Sequence, residues 1–196
     1  MKNLEEYYKE LLRREKRPKQ SLIDPWPKPL IKSIESDLQA AVAKCRIKGL
    51  PCPIRPKSTN QSIGNQVGAF TIEKLCTEMR HFIISPCEGA GYPDKILVEK
   101  ASDLKMPLEV KATSGWNPKD TNRRVLTSSA KKITRYFTQP IYHLLFTIIY
   151  INRENNIRIG AIRLDFLEPF TPVNIRLEAS VNHKILSSGK HSQIVI

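Results

Sequence analysis

Two short apolar runs near the middle of the chain alternate with charged residues, and this period limits the fold more than any other feature. In residues 107–113, apolar side chains alternate with Glu109 and Lys111. A period of two residues is typical of a β-strand with one buried face, so both charged side chains share the other face. The second run, residues 92–98, is predicted to be a strand that carries Asp94. The sequence therefore predicts two neighbouring strands that present two carboxylates and one amine.

The rest of the chain after residue 60 alternates between helical and extended patterns. The predicted elements are a helix at 65–79, strands at 81–85, 92–98 and 107–113, a helix at 128–137, strands at 142–152 and 157–167, and a candidate edge strand at 173–181. Gly160 interrupts the alternation of its strand and predicts a bulge there. This order predicts an α/β fold, with a mixed central sheet flanked by helices.

The first part of the chain has a different composition. Helices are predicted at 4–17 and 31–48, the second ending at Gly49, and prolines crowd the segments around them. We therefore divide the chain into a helical, proline-rich N-terminal segment (1–60) and a core (61–196). The N-terminal segment can be a DNA-gripping arm, a dimerisation element or a helical cap on the core, and the sequence does not choose among them.

The charge of the chain points to a polyanionic partner. The sequence has 32 Lys and Arg against 19 Asp and Glu, a net charge of +13. Residues 61–110 hold 5 basic and 7 acidic side chains, whereas residues 111–136 hold 7 basic and 1 acidic. An acidic region flanked by basic segments suits a protein that grips nucleic acid around a cation. The alternative, a basic surface that only aids solubility, needs a smaller net charge than this.

Other features narrow the class of protein. The 4 cysteines do not have the spacing of metal ligands among themselves or with the histidines, which argues against a zinc site. The cysteine pattern gives no indication of a disulfide. The N-terminus has no signal-peptide core, and the longest apolar run, residues 141–151, is too short to span a membrane. We expect a soluble cytoplasmic protein, and we interpret His81, His143, Cys76 and Cys87 as structural residues.

Two carboxylates and a lysine on adjacent strands are what metal-assisted phosphodiester hydrolysis needs. Here Pro93-Asp94 is followed, fifteen residues on, by Glu109-Val110-Lys111. This pattern resembles the PD-(D/E)xK nuclease superfamily, most of all its type II restriction endonucleases, over about residues 61–168. A second acidic-x-Lys tripeptide, Asp103-Leu104-Lys105, lies in a polar stretch that ends at a proline and is predicted to be a loop. The alternative for Glu109 and Lys111 is an exposed ion pair without catalytic function.

The resemblance implies a restriction-endonuclease-like core and roles for particular residues. Asp94 and Glu109 would bind Mg²⁺, with Mn²⁺ as a substitute, and the Val110 carbonyl would be a further ligand. Lys111 would orient or deprotonate the attacking water, or stabilise the transition state. Hydrolysis would leave 5′-phosphate and 3′-hydroxyl ends. Many members add a glutamate from the preceding helix, and Glu73 is the candidate, with a solvated surface role as its alternative.

The segment after the motif is the predicted DNA-binding region. Arginines in a loop suit guanine edges, and hydroxyls at a helix N-terminus suit phosphates. Arg123 and Arg124 are the candidates for base readout, with phosphate contact as the alternative, and Trp116 can stack on bases or simply be buried. The candidate DNA-binding residues are Lys119, Arg123, Arg124, Ser128, Ser129, Lys131, Lys132 and Arg135.

Three functions follow from these features. The first is a sequence-specific, Mg²⁺-dependent endonuclease of double-stranded DNA, acting as a homodimer because one active site must cut two antiparallel strands. The second is another PD-(D/E)xK nuclease, such as a junction resolvase or a repair nuclease. The third is a nucleic-acid-binding protein without catalytic activity.

Overall fold

The computed structural model describes residues 2–14, 16, 23–88, 93–115, 125–127, 135–137, 141–153, 156–177, 181–185 and 193–195. Its helices are α1 (Leu4–Arg14), α2 (Lys28–Cys45) and α3 (Asn60–Cys76). Its strands are β1 (Lys2–Asn3), β2 (Phe82–Pro86), β3 (Lys95–Glu99), β4 (Lys105–Thr113), β5 (Val125–Thr127), β6 (His143–Arg153), β7 (Asn156–Leu167), β8 (Pro172–Leu177), β9 (Val181–Ile185) and β10 (Gln193–Val195).

The main sheet has six strands in the order β10-β7-β6-β4-β3-β2. The pairing of β4 with β6 is parallel and the other pairings are antiparallel, so the sheet is mixed. A second sheet has the order β1-β8-β9-β5. Helices α2 and α3 contribute to the same hydrophobic core as the main sheet. The prediction of an α/β fold with a mixed sheet, flanking helices and a helical N-terminal segment is confirmed.

The N-terminal segment is joined to the main sheet by packing and by backbone hydrogen bonds. Ile34 and Leu38 of α2 lie in the large hydrophobic core with β6 and β7. Further along, the Gly49 N–H donates to the Ile159 carbonyl at 2.7 Å, and the Cys52 N–H donates to the Ile157 carbonyl at 2.8 Å. These contacts lay the end of the segment along β7. The boundary between residues 60 and 61 stays a prediction.

A second hydrophobic cluster lies on the opposite face of the main sheet. It includes Leu4 and Tyr8 of α1, Ile96 of β3 and Leu167 of β7. The sheet is therefore covered on both faces, which explains why β6 is a nearly continuous apolar run rather than an alternating one. No helix among the described residues is long and apolar enough to cross a membrane.

The bulge predicted at Gly160 is confirmed. In the register of β6 with β7, Ile149 pairs with Ala161 and the next residue, Tyr150, pairs with Ile159, so Gly160 is the extra residue. A β-carbon at Gly160 would lie 3.0 Å from the Ile149 carbonyl oxygen, closer than side chains normally approach backbone. Glycine fits here because the two backbones come close at the bulge.

Several predicted boundaries were wrong. The helix predicted to end at Gly49 ends at Cys45, because Arg46 adopts the left-handed conformation (φ 48°) and turns Ile47 into the core. Helix α3 begins at Asn60 rather than at residue 65, because the Thr59 hydroxyl caps it by accepting from the Ser62 N–H at 3.2 Å. Of the helix predicted at 128–137, residues 128–134 lie outside the described residues, Arg135 and Tyr136 are helical, and Phe137 is not.

The strand predicted at 173–181 was also wrong. Residues 173–177 belong to β8 and residue 181 begins β9, two different strands of the second sheet. Strand β8 lies between β1 and β9 and is not an edge strand. The N-terminal β1, only two residues long, covers its other side, and so short a strand has no recognisable pattern in the sequence.

Asp37 of α2 fixes the start of β2. This carboxylate is buried and accepts three backbone hydrogen bonds, from the N–H groups of Arg80, His81 and Phe82, at 2.9, 3.0 and 3.1 Å. Backbone amides that lie at or just before the start of a strand have no hydrogen-bond partner within a helix or a sheet ladder. Here one carboxylate accepts hydrogen bonds from three such amides. The contact joins the N-terminal segment to the edge of the main sheet.

Replacing Asp37 with Asn is expected to lower the free energy of unfolding by about 2–4 kcal/mol, because a charged acceptor of several buried amides is lost. Urea denaturation followed by circular dichroism measures the change. Ser36→Ala, at an exposed position of the same helix, is the control and should stay within about 0.5 kcal/mol of the parent. Equal stability of the two variants would contradict the role of Asp37.

His143, at the start of β6, is fully buried, and burial lowers its pKa from 6.5 to about 3. Its ring stacks on Tyr8 of α1, with centroids 4.5 Å apart. The folded protein therefore keeps His143 neutral at pH values where the unfolded chain takes up a proton. The stability that this residue contributes is complete above pH 6.5 and is lost as the pH falls below 6.5.

We expect His143 alone to remove about 2 kcal/mol of stability between about pH 6.5 and 5. The His143→Gln variant should show a flatter dependence of unfolding free energy on pH over this range, whatever its absolute stability. Urea denaturation at several pH values gives both slopes, and parallel curves for the parent and His143→Gln would refute the assignment.

Candidate active site

The alternation predicted for β4 is confirmed by its two faces. Leu108 and Val110 belong to the large hydrophobic core on the side of α2 and α3. Glu109 and Lys111 consequently point to the other face of the strand. The two side chains form an ion pair between Lys111 Nζ and Glu109 Oε1. The pair is not an exposed surface bridge, because Glu109 is only 4% exposed.

Asp94 lies directly before β3, not inside the strand as predicted. The register of β3 with β4 ends at Lys95 opposite Leu108, so Asp94 stands next to the Glu109 position. There the Asp94 Oδ2 accepts a hydrogen bond from the Val110 N–H at 3.4 Å. A side-chain carboxylate thus binds a β4 amide just beyond the last strand pair, and this contact joins Pro93-Asp94 to Glu109-Val110-Lys111.

The environment of Glu109 is unusual for a carboxyl group. Burial, with Asp94 acting in the same direction and Lys111 opposing, raises its pKa to about 7. The second carboxylate oxygen, Oε2, is buried and has no hydrogen-bond donor within the described residues, and the Asp94 carboxylate lies within hydrogen-bonding reach of the Glu109 side chain. A buried acceptor without a partner is costly, and a cation at this oxygen would remove the cost.

A cleft of about 810 Å³ opens between α3 and the strands β3 and β4. Asp94 and Lys111 line it from the strands, and Glu73 lines it from α3. The structure thus brings Glu73 to the same cleft as two of the three motif side chains. Its side chain is exposed.

The oxygen donors in this region fit a hard divalent cation. They are the carboxylates of Asp94 and Glu109 and the carbonyl of Val110, and the partnerless Oε2 of Glu109 is the observation that favours a cation. Within the described part of the chain, no group of three or more His, Cys, Asp and Glu side chains is arranged to hold a metal ion. A cation bound here would therefore complete its coordination with backbone oxygens and water. All 4 cysteines are free thiols.

The second acidic-x-Lys tripeptide differs from the first in exposure. Asp103 is an exposed turn residue with a left-handed φ of 56°, and Lys105 is exposed at the first position of β4. Their side chains form an ion pair of 3.6 Å at the surface. Leu104 lies between them, and the tripeptide is a turn that enters the strand.

Most of the predicted DNA-binding residues lie outside the described residues. These are Lys119, Arg123, Arg124, Ser128, Ser129, Lys131 and Lys132, together with Trp116. Arg135 is described: it is exposed, lies over the Tyr136 ring with 5.3 Å to the centroid, and forms an ion pair of 3.5 Å with Glu88. The DNA contacts of all these residues stay predictions.

The sequence reasoning missed a second buried ion pair on the same sheet face. Arg163 and Asp165 of β7 are 5% and 0% exposed, and the guanidinium binds the carboxylate through Nε and Nη2, both at 3.0 Å. Two rows of paired residues cross the sheet: Glu109–Leu145–Asp165 and Lys111–Thr147–Arg163. The signal in the sequence was an alternation of charged with apolar residues in a strand otherwise predicted as buried.

The comparisons with known proteins are limited to fold. No protein-family model matches the chain, and no curated protein matches it by sequence. Among solved structures it is similar to the crystal structure of the restriction endonuclease BglI bound to its DNA recognition sequence. The similarity covers 85% of this chain and 87% of that chain, with 10% sequence identity and a TM-score of 0.37. A likeness at this level carries no conclusion about activity.

Proposed function

We propose that the chain is a Mg²⁺-dependent, sequence-specific endonuclease of double-stranded DNA, of the type II restriction class in the PD-(D/E)xK superfamily. One observation carries the proposal. Asp94 binds the backbone of Val110 between Glu109 and Lys111, so that two carboxylates and one amine come together, and Asp94 and Lys111 also line the cleft. This is the group of side chains that metal-assisted hydrolysis of a phosphodiester requires.

Asp94, Glu109 and the Val110 carbonyl would hold the cation, with Mn²⁺ able to replace Mg²⁺. When bound, the cation acts as a Lewis acid on the phosphoryl oxygen and lowers the pKa of a bound water. The raised pKa of Glu109 and its partnerless oxygen support this assignment, because two nearby carboxylates are both stable as anions when a cation neutralises them.

Lys111 would stabilise the negative charge that develops on the phosphate. The Lys111 side chain is 28% exposed and the residue lines the cleft, and its ammonium group is held by Glu109, which restricts its position. The water oxygen would form a bond to phosphorus while the bond from phosphorus to the 3′ oxygen breaks, and the water would lose a proton to solvent while the leaving 3′ oxygen takes one up. The products are a 5′-phosphate and a 3′-hydroxyl. Glu73, on the opposite wall, would contribute a further carboxylate to the same cleft.

The motif can be tested against the second tripeptide of the same composition. Asp94→Asn, Glu109→Gln and Lys111→Met should each reduce the cleavage rate with Mg²⁺ by about a thousand-fold or more, because several kcal/mol of transition-state stabilisation are lost. Asp103→Ala and Lys105→Ala are the matched controls and should stay within a few-fold of the parent. The rates are measured on mixed-sequence plasmid, where discrete fragments indicate sequence-specific cutting.

Affinity for DNA in excess chelator separates lost chemistry from lost binding. Asp94→Asn and Glu109→Gln should bind as tightly as the parent or more tightly, because each removes an anion that repels the phosphate. Lys111→Met removes a cation and should not bind more tightly. If Asp103 or Lys105 is indispensable for cleavage while Glu109 is not, the active site lies elsewhere. Preference for branched DNA would indicate a resolvase or repair nuclease. Binding to DNA without cutting would indicate a non-catalytic protein.

The choice of metal gives an independent prediction. Mg²⁺ and Mn²⁺ should support cleavage, because both bind hard oxygen ligands such as the carboxylates of Asp94 and Glu109, the Val110 carbonyl and water. Ca²⁺ should support DNA binding with little cutting, and excess chelator should stop cleavage completely. Plasmid digestion in each metal measures this, and full activity in chelator would be incompatible with the proposed mechanism.

We also propose that the protein acts as a homodimer. Each chain has one candidate site, whereas a duplex presents two antiparallel strands, and a two-fold dimer on a palindromic sequence places one site at each strand. Light scattering should give a mass of twice 22.4 kDa for the free protein, and a mass that corresponds to two chains per duplex for the complex with DNA. A monomer under both conditions would contradict this arrangement.

A further inference from the structure

The wall of the cleft opposite the motif carries three side-chain amides. Asn60, Gln61 and Asn65, all on the first turns of α3, line the same cleft as Asp94 and Lys111. The three side chains are exposed, and they make no hydrogen bond within the described part of the chain. Amide groups both donate and accept hydrogen bonds, so they are available to a polar ligand that enters the cleft.

Small residues lie among the amides on α3. Gly64, Gly68 and Ala69 line the cleft beside them, and α3 lies so close to β4 that a β-carbon at Gly68 would be 3.5 Å from Val110 Cγ1. No large side chain stands between the amides and the strands at these three positions. At Gly64 and Gly68 the helix packs against β4, and Gly68 is buried, so the open route along the helix to the motif passes the small, exposed Ala69.

The length of the lined helix face fits a polymer better than a small phosphate compound. From Gln61 to Glu73 the helix rises by about 18 Å at 1.5 Å per residue. A DNA strand rises by about 3.4 Å per nucleotide, so this face matches about five nucleotides. Both of these residues line the cleft, one at each end of the helix face.

The charges along α3 have a direction. Its first turn holds no acidic residue, and the positive end of the helix dipole lies there. Glu73 lies at the other end, and Lys95 and Lys111 line the opposite wall. Phosphates are therefore favoured beside the amides, and a cation is favoured beside Glu73 and Asp94.

From this geometry we infer that Asn60, Gln61 and Asn65 bind the sugar–phosphate backbone of the DNA strand next to the phosphate to be cut. They hold the strand along α3 so that this phosphate lies against Asp94 and Lys111. The inference rests on the proposed nuclease function and names the contact that positions its substrate. None of the three residues belongs to the basic region predicted from the sequence to bind DNA.

The test uses isosteric variants that add a negative charge. Gln61→Glu and Asn65→Asp should each weaken DNA binding in chelator by about ten-fold or more, because a hydrogen bond to phosphate becomes a repulsion. Gln39→Glu, at an exposed amide of α2 outside the cleft, adds the same charge and should change affinity by less than about two-fold. Circular dichroism confirms that each variant is folded.

Phosphate ethylation interference then locates the contact. Ethylation of particular phosphates beside the cut position should weaken binding of the parent, and those positions should lose their effect in Gln61→Glu and Asn65→Asp but keep it in Gln39→Glu. The inference would be overturned, and the nuclease function would stand, if the parent cleaves DNA while the cleft variants keep the affinity and the ethylation pattern of the parent. A parent that binds without cutting, with weakened cleft variants, would support the amide contact and reject the nuclease. A parent that binds no DNA would reject both.

Discussion

Strand β4 buries apolar side chains on one face and a carboxylate on the other, and the candidate active site depends on this combination. One face carries Leu108 and Val110 into the core beneath α3, and the other buries the carboxylate of Glu109. Burial of a charged group is costly unless it has a partner of opposite charge. Lys111 provides that partner for one oxygen, while Asp94 approaches the next amide of the strand. The cleft opens where β3 and β4 stop pairing.

The parts of this arrangement that depend on local pattern could be predicted from the sequence. The shared face of Glu109 and Lys111 follows from strand alternation, and the bulge at Gly160 follows from a break in that alternation. The strand type of β2, β3, β4, β6 and β7 was predicted for the same reason, whereas β10 of the same sheet was not predicted. Glu73 was named from the sequence as the candidate glutamate of the preceding helix, and the structure places this residue at the cleft.

The parts that depend on contacts between distant residues could not be predicted. The Asp37 carboxylate binds the backbone amides from Arg80 to Phe82, which lie 43 to 45 positions further along the chain. No pattern in the sequence links these residues to Asp37. The amides of Asn60 and Gln61 precede the helix predicted from periodicity, because the cap at Thr59 starts α3 earlier. Arg163 has the alternation of an exposed residue and is nevertheless buried, because the sheet is covered on both faces. Tertiary burial overrides the pattern in these places.

The two buried ion pairs have a consequence for the order of folding. Each pair, Glu109 with Lys111 and Arg163 with Asp165, is contained within a single strand, two residues apart. Each strand therefore contains both members of its ion pair. Its charged side chains can be buried together, and no oppositely charged residue from another part of the chain is required. The central sheet can assemble strand by strand, and no partly folded intermediate needs to bury a lone charge at these positions.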